Sequence, residues 1–116
     1  WVLTSTETQT TIIATDAYAS TVEALAETNG LAFVDLRQVL SEAATSGIVF
    51  DNFNLTTQFI FGGLVSLDGV HLTARGYAYM ANKFMEAIDI TYGSNFGESN
   101  SMLKAADYVN MYSEGL

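Results

Sequence analysis

The chain contains a single histidine, His71, and an aspartate, Asp68, precedes it by three residues in Ser66-Leu67-Asp68-Gly69-Val70-His71-Leu72-Thr73. On a tight turn this spacing sets a carboxylate beside one imidazole nitrogen and leaves the other free. A general base needs that arrangement. The acid selects the tautomer and stabilises the imidazolium, while the free nitrogen takes a proton from a nucleophile. An aspartate and a histidine ahead of a helix also serve simply as a cap and a partly buried polar residue. Spacing alone leaves both roles open.

The elements that must position this stretch follow from the hydrophobic pattern. A helix is expected over about residues 74–90, capped by the Thr73 hydroxyl. Tyr77, Met80, Ala81, Phe84 and Ile88 form its apolar stripe; Arg75, Asn82, Glu86 and Asp89 form its polar one. Phe84 is therefore expected inside, and its truncation should cost ~3–5 kcal/mol in the intact protein. Near the start, Thr4 and Glu7 stand in capping-box relation, apolar residues recur at helical spacing, and Asn29-Gly30 supplies a stop. This predicts a helix over residues 5–28. The continuous apolar run Leu31-Ala32-Phe33-Val34-Asp35-Leu36 then reads as a strand covered on both faces, as in a parallel sheet. Asp35 and Gln38 make a second cap-like pair. The stripe Leu36, Val39, Leu40, Ala43, Ala44 marks a further helix, which Gly47 ends.

Helix, buried strand, helix is a piece of an α/β layered fold. One convincing strand cannot form a sheet. Trp1-Val2-Leu3 and Ile48-Val49-Phe50 are too short to complete one, so the remaining strands are expected outside this sequence. Residues 51–67 read as a long irregular connection. Its aromatics Phe53, Phe59 and Phe61, with Phe50 before them, either pin it to the core or line an acyl-binding wall. Residues 94–116 read as a polar linker and tail in which Met102, Leu103, Ala106, Tyr108 and Val109 make a short final helix.

The block Ser-Leu-Asp-Gly-Val-His-Leu-Thr-Ala-Arg-Gly-Tyr-Ala, residues 66–78, resembles the last sequence block of the SGNH (GDSL-type) hydrolases. Val2-Leu3-Thr4, Gly30-Leu31-Ala32-Phe33-Val34-Asp35 and Phe61-Gly62-Gly63 also look like the C-terminal part of bacterial members, so the likeness runs over about residues 1–93. It implies the C-terminal part of a three-layer α/β/α, flavodoxin-like domain, incomplete in this chain. In that family the block supplies the acid and base of a Ser-His-Asp triad, which would assign Asp68 and His71 as catalytic. Many members carry proline after the histidine, where this chain has Leu72. The family's Gly-Asp-Ser nucleophile block and its oxyanion glycine and asparagine blocks have no counterpart here, and would lie upstream of Trp1. The resemblance implies hydrolysis of a lipid, acylated-carbohydrate or small acyl ester, with no metal or organic cofactor. The partner would be the missing N-terminal part of the same domain, and the location periplasmic or extracellular. The chain alone is expected to be inactive.

Composition narrows the classes further. Only four Lys and Arg against thirteen Asp and Glu give a net charge of −9, which argues against nucleic acid and anionic membrane surfaces. No apolar run reaches the ~20 residues of a membrane helix. One histidine and no cysteine leave too few preferred ligands for zinc. The charged share is 15%, against a usual ~25%, and fits a chain whose surface is partly covered by something else. The competing class is a non-catalytic α/β interaction segment that pairs through an exposed sheet edge, with Asp68 and His71 structural.

Overall fold

The computed structural model describes residues 2–110, so Trp1 lies outside the described part. It contains three α-helices and one two-stranded sheet, in the order α1 (Ser5–Thr28), α2 (Leu36–Thr45), β1 (Ile48–Phe50), β2 (Phe53–Leu55) and α3 (Ala74–Tyr92). A single 3₁₀ turn follows at Ala105–Asp107. The architecture is thus mixed α and β.

Local chemistry sets the helix ends. At α1 the Thr4 hydroxyl accepts from the Glu7 amide, and the Glu7 carboxylate accepts from the Thr4 amide at 2.8 Å, a complete capping box. The helix closes through Gly30, at φ +62°. The Leu31 amide reaches back to the Ala26 carbonyl and the Gly30 amide to that of Glu27, the paired bonds of a Schellman stop. The Asp35 carboxylate starts α2 by accepting from the Arg37 and Gln38 amides. Gly47, at φ +77°, ends it.

The run at residues 31–35 is extended but forms no strand. Among the described residues, the only bond from its main chain to a distant element is the Ala32 amide donating to the Tyr92 hydroxyl at 3.0 Å. This corrects the expected buried strand. A strand is made by its neighbours, and no described segment lies alongside to accept its ladder. The sheet forms elsewhere, between Ile48–Phe50, the run judged too short to complete one, and Phe53–Leu55, inside the stretch expected to be irregular. Ile48 pairs with Leu55 and Phe50 with Phe53 in an antiparallel hairpin, turned by Asp51 at φ +52° and Asn52. Its burial alternates, with Ile48 and Phe50 inside and Val49 at 77% exposure.

The core joins Val39 and Ala43 of α2, Ile48, Phe50 and Leu55 of the hairpin, Leu64, Ala78 and Met80 of α3, and Ala105 of the 3₁₀ turn. Tyr79 packs edge-on against Phe50, and the Arg75 guanidinium lies 3.7 Å above the Phe53 ring. Asn82 is buried because its amide serves the main chain of Leu103 as a strand would, donating to the carbonyl and accepting from the amide, both at 2.8 Å. Leu103 and Ala105 of the tail are therefore bonded to α3, the latter through the Arg75 side chain. The helix expected in the tail reduces to the 3₁₀ turn, whose Ala105 amide is held by Asp51 at 2.7 Å.

The phase of α3 departs from expectation. Gly76, Ala78, Met80 and Asn82 are buried, whereas Tyr77 and Phe84 are 53% and 49% exposed. Tyr77, Ala81, Phe84 and Ile88 do share one face at helical spacing, but that face is only partly covered: Ala81 and Ile88 are half-buried while Tyr77 and Phe84 stand exposed. Leu36 and Leu40 on α2, and Ile12, Ile13, Tyr18, Val22 and Leu25 on α1, are likewise exposed.

Candidate active site: an aspartate–histidine pair on a stitched loop

Residues 64–73 double back as an irregular antiparallel clasp. Val65 bridges Leu72, the Ser66 amide donates to the His71 carbonyl at 2.8 Å, and the Thr73 amide donates to the Leu64 carbonyl at 2.9 Å. Thr73, buried at the base, donates through its hydroxyl to the Gly63 carbonyl at 2.6 Å and accepts from the Gly76 amide at 2.9 Å. It thus caps α3 and ties the clasp to it. Gly76 permits the approach, since a Cβ there would lie 2.6 Å from the Leu64 carbonyl oxygen. Leu64 itself is fully buried. The loop tip is consequently carried on packed core rather than on another loop.

At the tip, Asp68 and His71 come together as their spacing predicts. The Asp68 Oδ2 atom lies 2.5 Å from His71 Nδ1. Its other oxygen, Oδ1, accepts from the Ser66 hydroxyl at 2.6 Å and from the Val70 and His71 amides, each at 2.9 Å. Gly69, at φ +72°, lets the chain turn tightly enough for both amides to face back on the carboxylate. These donors, the Ser66 hydroxyl foremost, hold the Asp68 carboxyl well below the usual carboxylate range.

An ionised Asp68 can only accept, so the proton shared with His71 belongs to Nδ1. In the neutral ring the lone pair is then on Nε2, to which no described residue is bonded. The side chains of His71 and Asp68 are 69% and 49% exposed. Solvent screening at that exposure makes the direct attraction small, so the arrangement is held by the local bonds around Asp68.

The described residues bring no nucleophile to this base. Ser66 is the nearest serine in sequence, but its hydroxyl donates to Asp68 Oδ1 and not to the histidine ring. An apolar groove of about 290 Å³ flanks the loop, lined by Leu36, Leu40, Val65, Val70, Leu72 and Met80 among others. Phe59 and Phe61, considered for an acyl-binding wall, are exposed and do not line it; Phe50 is buried and Phe53 is held under Arg75. Among the described residues no cluster of three histidines or carboxylates could hold a metal, and no helix is long and apolar enough to cross a membrane. Ser66 is the participant that sequence reading passed over, although a hydroxyl two residues before an aspartate is a common local donor to it.

No family model, curated protein or solved structure matches the chain.

Proposed function

We propose that Asp68 and His71 are the acid and base of a Ser-His-Asp ester hydrolase whose serine and oxyanion donors come from residues outside this sequence. The observation that carries this reading is the contact between Asp68 Oδ2 and His71 Nδ1, with Oδ1 already saturated and Nε2 unpaired. The resemblance of residues 66–78 to the last block of the SGNH hydrolases supports it.

His71 Nε2 removes the proton of the serine hydroxyl as that oxygen attacks the ester carbonyl, and Asp68 stabilises the imidazolium that results. The imidazolium returns the proton to the departing alcohol as the tetrahedral intermediate collapses to an acyl-enzyme. Water repeats the sequence: Nε2 takes its proton, the hydroxide oxygen adds to the acyl carbonyl, and the serine leaves with the proton restored. The substrate class is a lipid, acylated-carbohydrate or small acyl ester, and the site of action is the periplasm or the outside of the cell.

The same reading makes this chain the C-terminal part of a three-layer α/β/α domain. Residues 31–35 would become a sheet strand once neighbours lie beside it. The uncovered apolar faces of α2 and α3 would pack on the layers those neighbours bring.

The test is turnover of a short-chain aryl ester by the protein that joins this chain to its serine-bearing segment. His71→Ala should lower kcat by several orders of magnitude with little change in stability. Full turnover by His71→Ala would refute the assignment. The isolated chain should not exceed its own His71→Ala control. The unpaired extended segment also keeps a non-catalytic reading in play, in which residues 31–35 add to another chain's sheet. In that case the joined protein would show no ester turnover dependent on His71.

A further inference from the structure

We infer that Ser66 is a positioning residue of the pair: its hydroxyl orients Asp68 so that Oδ2, and not Oδ1, faces His71. The inference rests on the catalytic reading of Asp68 and His71.

A carboxylate on an exposed loop can rotate about its side-chain bonds and exchange partners with water. What prevents this is the number of donors that converge on one oxygen. Two of the three donors to Oδ1, the Val70 and His71 amides, belong to the same tight turn and would follow Asp68 if the turn rocked. The Ser66 hydroxyl, at 2.6 Å, is the shortest of the three and comes from the opposite arm of the clasp. That arm is braced across the turn by main-chain bonds that do not use the Asp68 side chain: the Ser66 amide donates to the His71 carbonyl at 2.8 Å, and the Ser66 carbonyl accepts from the Gly69 amide at 3.0 Å. Ser66 thus references the carboxylate to the backbone of the histidine it must serve.

The second consequence is electronic. Donation from Ser66 withdraws charge from the carboxylate, which makes Asp68 a poorer proton acceptor. The proton between Oδ2 and Nδ1 therefore stays on the imidazole, and the tautomer with a free Nε2 is retained. Loss of the hydroxyl would leave Oδ1 with two amide donors and an open position for water. The side chain could then swing, and His71 would revert toward the Nε2-protonated tautomer that free imidazoles favour. That tautomer presents no lone pair to a serine.

The experiment reads His71 directly, without requiring ester turnover. Ring ¹⁵N shifts of His71 are recorded for the joined protein and for its Ser66→Ala, Ser66→Thr and Asp68→Asn variants, with the Leu64 and Thr73 backbone amides as monitors of the clasp. Within the neutral imidazole of the parent protein, the Nδ1-protonated tautomer should predominate. Ser66→Ala should shift the population toward the Nε2-protonated form with the monitor amides unmoved, and Ser66→Thr, which keeps the hydroxyl, should restore the parent spectrum. In the joined protein Ser66→Ala should lower kcat roughly tenfold with KM nearly unchanged, as for loss of one hydrogen bond to a charged group. If Asp68→Asn alters the ring spectrum and Ser66→Ala does not, the role of Ser66 is overturned while the pair stands. If Asp68→Asn leaves the spectrum unaltered, the pair fails and Ser66 with it. Displacement of the Leu64 and Thr73 amides by Ser66→Ala would also overturn the inference, because the hydroxyl would then be holding the loop rather than the carboxylate.

Discussion

Asp68 concentrates four hydrogen bonds on one carboxylate, and this decides how the site responds to mutation and to acid. On the proposed triad reading Asp68 acts only through His71, so their effects on ester turnover in the joined protein should be non-additive. Asp68→Asn should lower kcat by favouring the wrong tautomer, yet add almost nothing to His71→Ala. Kinetics of the four variants check this, and multiplicative losses would mean two independent roles. The depressed carboxyl of Asp68 also sets a pH window. A group whose folded pKa lies below its unfolded value contributes at every pH above the ordinary carboxylate value of ~3.9, and that contribution is lost as pH falls through the depressed folded value. Following the Asp68 carboxyl carbon by NMR into strong acid should therefore give a midpoint clearly below the ordinary ~3.9. An ordinary midpoint would mean that the donors around Oδ1 do not persist in solution.

The element that matters most is α3, since its first turn anchors the clasp. Alanine normally improves on glycine within a helix by ~1 kcal/mol. At Gly76 the sign should reverse. The new Cβ would meet the Leu64 carbonyl oxygen at 2.6 Å, and neither backbone can yield without moving Thr73. Gly76→Ala should thus destabilise by ~1–3 kcal/mol in chemical denaturation, as overpacking does. A stabilised Gly76→Ala would show that helix and clasp are not in contact. The phase of α3 gives a second contrast. Met80 is 8% exposed and Phe84 is 49% exposed. Met80→Ala should cost ~2–5 kcal/mol in this chain, while Phe84→Ala should cost far less. Should the outer face of α3 be covered in the joined protein, Phe84→Ala would become costly there and remain mild here.

On the scale of the whole molecule, the chain is a slab of 49 × 49 × 21 Å with a radius of gyration of 16.5 Å. A compact chain of this length would have a radius near ~13 Å. The excess reflects α1, which buries only Ala26 and is tied to α2 by the exposed Arg37–Asp16 pair at 2.6 Å. Apolar residues on the uncovered faces of α1, α2 and α3 leave much of the hydrophobic driving force unused. By itself the chain should sediment as a dimer, a larger assembly or an aggregate. A compact monomer with one cooperative unfolding transition would show that these faces need no cover.

What the sequence determined by itself were the features whose causes lie within a few residues. The capping box at Thr4 and Glu7, the Asp35 and Thr73 caps, the glycine stops and the Asp68–His71 contact all depend on bonds spanning two to five positions. Such bonds form whatever the rest of the molecule does. Only the tertiary structure decided which apolar residues are buried and which extended runs become strands. Residues 31–35 have the composition of a core strand yet stay unpaired. Ile48-Val49-Phe50, set aside as too short, pairs because Asp51 and Asn52 return Phe53 and Leu55 beside it. The sequence of α3 carries a clear apolar stripe, of which Met80 is buried while Tyr77 and Phe84 are exposed, and Gly76, Ala78 and Asn82 are buried beside it, because Leu64, the hairpin and the Leu103–Ala105 stretch are the partners present. Ser66 belongs between the two cases. Its bond to Asp68 spans two positions and the main-chain bonds that brace it, to Gly69 and His71, span three and five, so its contacts are local; the fold contributes the clasp's anchorage through Leu64 and Thr73.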